Sequence, residues 1–304
     1  MRTLSDARVA GRERADVRGV LWSYLSLTKP RIVLLLLVTT VPSMILAAGR
    51  LPSVWLIGAT LVGGTALAGG ANAINQYLER DIDRLMTRTR QRALPSRAIE
   101  PWSALAFGMA LAAAGFVWLA VAVNLLAALL ALSGFAFYLL IYTSWLKPSS
   151  PQNIVIGGAA GAVPVLVGWA AVTGTVGLAA WVLFSIVFFW TPPHFWALAL
   201  RYEDDYSAAG IPMLPVVAGN AETTKRILRY SAVLVLATLA LYPLAHMGLL
   251  YLVAAAGLGA VFIVRALQLR AAQTMPFAVK LFRYSILYLT LLFGAVAVDV
   301  LVRF

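Results

Sequence analysis

GGANAINQYLERDIDRLMTRTRQRALP, residues 69–95, decides the fold: an apolar helix runs directly into a polar one, and the polar one into a train of arginines. At about 100° per residue, Asn72, Asn75, Glu79 and Asp83 fall within an arc of about 80°, because their spacings are three, four and four. They form one stripe. Asp81 points to nearly the opposite side, so it is not expected to share a ligand with them. The stripe begins inside or at the edge of an apolar span, where polar side chains are expensive and mark function.

Working outward, the chain divides into nine apolar spans, 31–49, 53–77, 103–122, 124–145, 153–173, 177–200, 227–245, 247–268 and 280–302. Each is near the ~20 residues that cross a bilayer core. All 24 Lys and Arg residues except Arg50 and Arg303 lie before the first span, around the connections 78–102, 146–152, 201–226 and 264–283, or at their borders. Every second connection is therefore basic. The positive-inside rule then places the N-terminus and both acidic clusters in the cytoplasm and the C-terminus outside. With 62% hydrophobic and 12% charged residues, a soluble globule is excluded. The net charge of +12 is explained by topology and by attraction to the anionic headgroups of the lipid bilayer, and no nucleic-acid partner is expected. The absence of cysteine removes disulfides, thiolate metal sites and cysteine catalysis together.

The expected fold is thus an all-α polytopic membrane protein, nine transmembrane helices around a central cavity, arranged as two four-helix halves plus one. The second and sixth spans each end in an acidic cluster, which points to a duplicated half. Residues 1–26 read as a disordered cytoplasmic tail without a signal-peptide core, and 27–304 as one transmembrane domain. The long cytoplasmic connections would lie side by side over the cavity, where irregular polar backbone is tolerated because it lines a site.

Two carboxylates and an amide oxygen aimed at one point, Asn75, Glu79 and Asp83, are hard ligands suited to Mg²⁺ held partly by phosphate oxygens. The arginines that follow, Arg84, Arg88, Arg90 and Arg92, favour an anionic partner. Arg88 and Arg92, at i and i+4, fork onto phosphate if the helix continues. A second constellation is FFWTPPHFWALALRYEDDYSAAGIPMLPVV, residues 188–217. Thr191 before Pro192 and Pro193 reads as a helix start, so the sixth span is expected to break or kink there. From that restart His194, Arg201 and Asp205 fall within about 40° of one face. Asp205 is then the acid that looks into the same cavity as His194, while Glu203 and Asp204 face elsewhere unless the helix end frays. His246, near the opposite membrane face, reads as an interhelical hydrogen-bond donor. Trp190, Phe195, Trp196, Tyr138 and Tyr142 read as packing and interfacial anchors.

These segments resemble the intramembrane (UbiA-type) prenyltransferase superfamily and, within it, the protohaem IX farnesyltransferases (haem O synthases). The likeness runs from Leu27 onward through LTKPRIVLLLLVTT, NQYLERDIDRLMTRT, YTSWLKPSSPQNIVIGGAAGAVPVLVGWAA, TPPHFWALAL and DDYSAAGIPMLPVV. TPPHFWALAL and AGIPMLPVV separate this family from quinone-type and chlorophyll-type relatives. Ala93 stands where proline usually follows the arginine, and GAVPVL has one proline where a pair is common.

The resemblance implies transfer of a farnesyl group from farnesyl diphosphate to a vinyl group of haem B. Mg²⁺ would sit on Asn75, Glu79 and Asp83, with Asp204 or Asp205 contributing from the second motif, and Arg88, Arg92, Lys147 and Lys29 would stabilise the leaving diphosphate. The family also gives weight to the positions of Asn72 and His194; the histidine could ligate haem iron, bind a propionate or position water. Where relatives carry two acids four apart, this chain has Arg201 four residues before Asp205. Either a second fully protein-held Mg²⁺ is disfavoured or Asp204 substitutes for the missing acid, and Arg201 is expected to pair with a propionate or the diphosphate. A haem O-consuming oxygenase or an oxidase assembly factor is the implied partner; the short, acid-containing tail favours a bacterial plasma membrane over a mitochondrial inner membrane. Prenylation of a quinone-precursor aromatic acid, a haem or ion transporter and a haem-binding scaffold are the competing readings.

Overall fold

The computed structural model describes residues 19–303, so the first 18 residues of the expected tail lie outside it. Residues 19–27 form a helix, α1, which shortens the expected irregular tail. Its end is anchored because Leu27 is fully buried against Ala73, Ala93, Leu94, Ile99 and Ala104. The remaining helices are α2 (Pro30–Ala48), α3 (Val54–Leu78), α4 (Arg80–Leu85), α5 (Pro101–Ala122), α6 (Leu125–Ala136), a π-helix (Phe137–Leu146), α7 (Lys147–Ser149), α8 (Asn153–Thr173), α9 (Leu178–Arg201), α10 (Glu203–Ala208), α11 (Leu214–Leu244), α12 (Leu249–Ala272) and α13 (Met275–Arg303).

Among the described residues eight helices are long and apolar enough to cross a membrane, α6 to α7 counting as one. The first expected span, 31–49, is not counted among these eight. That segment is the 19-residue helix α2, whose described apolar stretch is Val38–Ala48.

The long helices pack in chain order, and α13 returns to α2 to close the ring. The second set of spans meets the first through α2 against α8, the leading helix of each expected half. The tightest pairing, α3 against α5, is built on small residues. A Cβ added at Gly70 would stand 2.6 Å from the Gly108 carbonyl oxygen, and one at Gly115 would stand 2.8 Å from that of Gly63. Such spacing lets two backbones touch, which in a membrane supplies the packing that the hydrophobic effect does not.

Of the break or kink expected at Thr191–Pro193, the break is absent, since α9 runs through both prolines. The prolines remove two helical donors. Thr191 is not a cap; its Oγ1 donates to the Val187 carbonyl (2.9 Å), and Thr191, Pro192, Pro193 and His194 are all buried among neighbouring helices that hold the turn. The backbone breaks elsewhere. Gly219 (φ 73°, ψ 174°) divides α11 into a short leading piece and the membrane helix, a left-handed geometry that glycine adopts without a Cβ clash.

Candidate active site

Helix α3 begins cleanly, with the Ser53 hydroxyl accepting from the Leu56 N–H (3.2 Å). At its other end Glu79 leaves regular α geometry (φ −94°, ψ 4°), yet the ladder is kept by Glu79 N–H to Asn75 O (2.9 Å) and Asp83 N–H to Glu79 O (2.7 Å). The stripe therefore survives the joint between α3 and α4. Asn72, Asn75, Glu79 and Asp83 are 7%, 2%, 4% and 0% exposed, so this polar face is turned inward. Asp81, by contrast, pairs only with Arg80 and Arg84 at the surface.

Each of the three oxygen donors meets a cation. Lys29 Nζ donates to Asn75 Oδ1 (2.9 Å), Lys147 Nζ to Glu79 Oε1 (2.5 Å), and Arg92 Nη1 to both Asp83 oxygens (3.0 and 2.8 Å). Asn72 Nδ2 holds the Thr28 carbonyl (3.0 Å) and fixes the segment carrying Lys29. Burial pushes the Glu79 carboxyl up, but the Lys147 and Lys29 ammonium groups outweigh it and hold it below the ordinary carboxylate range. A buried acid is tolerated here because it is paired.

Local chain geometry delivers two of these cations. After α4 the chain does not continue as a helix, so Arg88 and Arg92 do not share a helical face as expected. Met86 is extended (φ −95°, ψ 130°), and turns follow, pinned by Thr89 Oγ1 to Asp83 O (2.8 Å). They bring Arg92 back onto Asp83 and send Arg88 the other way. Lys147 arrives from the π-helix, which the span 124–145 gave no sign of. Its wider turns set Thr143 and Lys147 towards α3, where Asn75 Nδ2 donates to Thr143 Oγ1 (3.1 Å). Short π segments recur at functional sites for this reason.

The second motif is rearranged. Helix α9 ends at Arg201, Tyr202 is non-helical (φ −116°, ψ 29°), and Asp205 sits on the separate helix α10. The stripe joining His194 to Asp205 is therefore interrupted. Asp205 faces the first motif instead, accepting the Thr87 N–H on Oδ1 (3.1 Å) and the Arg88 N–H on Oδ2 (3.2 Å). The Arg88 guanidinium lies over the rings of Tyr202 and Tyr206 (5.3 and 5.9 Å to the centroids). Thr87, Arg88, Arg201, Tyr202, Asp204 and Asp205 line one open cleft of about 280 Å³. Arg201 and Asp204 are exposed in that cleft, away from His194, which is buried in α9 against Ser285 of α13 (Nδ1 to Oγ 2.7 Å). His246, expected to donate between helices, is exposed with left-handed backbone, and its contact is a carbonyl accepting from Arg303.

Asp205 thus works as a latch between the connections that follow α4 and α9. Burial raises its pKa, but the N–H groups of Arg88 and Thr87 outweigh this and hold the carboxyl below its ordinary value. A depressed folded pKa contributes stability that is complete above the ordinary carboxylate range and is lost as pH falls through the lowered value. The latch is therefore closed at neutral pH and opens only in acid. Asp205→Ala is expected to raise hydrogen exchange at the Thr87 and Arg88 amides by roughly tenfold or more, measured by exchange mass spectrometry at pH 7. Unchanged protection would show that the connection is held by other contacts.

The donors of the first motif fit a hard divalent cation: three buried oxygen ligands on one face, with charges that neighbouring cations now balance. The second motif fits less well. Among the described residues no three His, Cys, Asp or Glu side chains converge on one point at either motif, so the first relies on the Asn75 amide beside its two acids, and both oxygens of Asp205 already accept backbone donors. Thr143, Ser285, Tyr202 and Tyr206 join the site without having been anticipated; hydroxyls and rings of this kind carry no spacing signal in an apolar span.

The model of the UbiA prenyltransferase family matches residues 36–296. Protoheme IX farnesyltransferase of Parafrankia sp. is 54% identical over 278 residues, covering 90% of this chain and 89% of that protein. The protein of the same name from Gloeobacter violaceus is 53% identical over 291 residues, covering 95% of each. Among solved structures, a digeranylgeranylglyceryl phosphate synthase superposes with a TM-score of 0.77 at 19% identity, covering 92% of this chain and 98% of that one. A UbiA homologue from Archaeoglobus fulgidus bound to GPP and Mg²⁺ superposes with a TM-score of 0.63 at 17% identity, covering 91% and 99%.

Proposed function

The chain belongs to the UbiA prenyltransferase family, and we infer from that premise that it transfers the farnesyl group of farnesyl diphosphate to a vinyl group of protohaem IX (haem B), giving haem O and diphosphate. The observation that carries the chemistry is the buried stripe in which Asn75, Glu79 and Asp83 each meet a separate cation. Asn75, Glu79 and Asp83 would hold Mg²⁺, which, when bound, neutralises diphosphate oxygens and makes the allylic C–O bond easier to break.

Lys29, Lys147 and Arg92, each now bonded to one of those three side chains, would turn to an anion that enters beside them. As the C–O bond breaks, the electron pair leaves with the diphosphate, and these cations stabilise the charge that develops there. Arg88 is held in place by Asp205 and backed by two tyrosine rings, and with Arg201 it supplies further positive charge at the cleft mouth. The allylic carbon bonds to the vinyl group, and water captures the resulting cation and releases a proton. Pairing the two acids with Lys147 and Arg92 leaves Lys29, on the neutral Asn75 amide, as positive charge in excess before substrate arrives. It also makes release of those cations part of substrate binding.

The reading extends to placement. Residues 27–304 act as one transmembrane domain of a bacterial plasma membrane protein, with the N-terminus and both motifs on the cytoplasmic side and the C-terminus outside, as the distribution of basic residues supports. The direct test is mass spectrometry of haem extracted after the purified protein is incubated with haem B, farnesyl diphosphate and Mg²⁺. Haem O that forms with Mg²⁺ and disappears with chelator is the expected result. An alkylated aromatic acid with haem left untouched would move the chain to quinone-type chemistry.

A further inference from the structure

His194 sits in a cage contributed by its own helix and by α13. Its ring is stacked on Trp190 (4.2 Å between centroids, 18°) and on Phe282 (4.7 Å, 26°), with Phe195 edge-on (5.2 Å, 86°). The histidine is 7% exposed, and its Nδ1 lies 2.7 Å from Ser285 Oγ. Ser285, itself fully buried, also holds Trp190, whose Nε1–H donates to the Ser285 carbonyl (2.7 Å).

One further contact fixes the protons. Ser285 Oγ lies 2.7 Å from the Phe282 carbonyl oxygen, which can only accept. The single hydroxyl proton must therefore lie on that contact, or two oxygens would face each other in a dry interior with nothing between them. Ser285 Oγ is then left as an acceptor towards His194, so Nδ1 carries the proton. The opposite assignment gives up that contact, which biases the tautomer by roughly tenfold.

We propose that Ser285 is a positioning residue that locks His194 as the Nδ1–H tautomer, with its ring plane fixed by Trp190 and Phe282, so that Nε2 presents a lone pair to the haem substrate. This rests on the reading of the chain as a haem farnesyltransferase only for the identity of the ligand. A neutral imidazole held this way accepts at Nε2 and cannot donate there. It is therefore a ligand for haem iron or an acceptor for a proton, and not a donor to a propionate carboxylate. The logic is that of a metal-binding histidine whose second nitrogen is fixed by an outer partner.

The tautomer can be read without any reaction. The chain has only two histidines, so protein labelled with ¹⁵N-histidine gives two ring systems, and a His246→Gln variant assigns them. Expected for His194 is a protonated Nδ1 and a lone-pair Nε2 at neutral pH in the unliganded protein. A protonated Nε2 overturns the proposal whether or not the chain makes haem O. In Ser285→Ala the lock should be lost and affinity for haem B, read by optical titration, should fall roughly tenfold, with Ser285→Thr, which keeps the hydroxyl, recovering it. A Ser285→Ala protein that keeps both the Nδ1–H form and full haem affinity also overturns it. Failure to form haem O with the tautomer as expected would instead count against the proposed function and leave the lock standing.

Discussion

Asp83→Ala is expected to lower haem O formation by about 10³-fold or more, the scale on which removal of one preorganised charge-stabilising group acts at a buried reaction centre. The substitution removes a proposed metal ligand and also frees Arg92, whose Nη1 sits on both carboxylate oxygens. Asp83 is fully buried, whereas the Arg92 side chain is 26% exposed. Stability should therefore fall by about 2–3 kcal/mol, below the 3–5 kcal/mol of a fully sealed pair. Activity and stability are separable with a second variant. Asp83→Leu combined with Arg92→Met removes both charges, so its melting temperature in detergent should return towards that of the parent while haem O formation stays lost. Recovery of activity in the double variant would show that the pair only holds the turn after α4 together.

Asp299→Ala should destabilise the protein by roughly 2–4 kcal/mol while leaving turnover per folded molecule unchanged. Asp299 is 2% exposed, near the end of α13 and far along that helix from the basic connection. It accepts the N–H of Gly248 (2.7 Å) and of Tyr251 (3.1 Å), and Arg303 Nη2 pairs with it at 2.7 Å. A carboxylate from one helix thus caps another, because Gly248 has no side chain to do so. Truncation leaves two buried donors unmet and Arg303 without its partner. Urea or thermal unfolding in detergent, alongside specific activity, would measure this. A loss of turnover without a loss of stability would mean that this end of α13 communicates with the site.

Comparison of particular residues shows what could be read in advance. The stripe of Asn72, Asn75, Glu79 and Asp83 was visible because spacings of three and four are a helical property, and a short non-helical joint at Glu79 does not rotate them out of line. Lys29 and Lys147 were expected beside the diphosphate and do converge on the stripe. The pairing of Arg88 with Arg92 failed because it assumed a helix beyond Leu85, where turns pinned by Thr89 replace it. The face shared by His194 and Asp205 failed at Tyr202, whose N–H bonds the Ala199 carbonyl three residues back, so the regular ladder that Glu79 keeps is not carried from α9 into α10. The break expected at Pro192 and Pro193 failed because neighbouring helices bury and hold that turn.

Sequence alone determined the helices, their alternating charged connections and the residue types available at the basic end, because burial in lipid obliges the backbone to satisfy itself within helices and leaves a period that can be counted. Tertiary structure alone decided which cation meets which oxygen, that Asp205 latches the first connection, that a π-helix presents Lys147, and that Ser285 sets the protons of His194. Those are contacts between residues tens to more than a hundred positions apart. They depend on how ring closure and close glycine packing set helices against one another, and no local spacing carries that information.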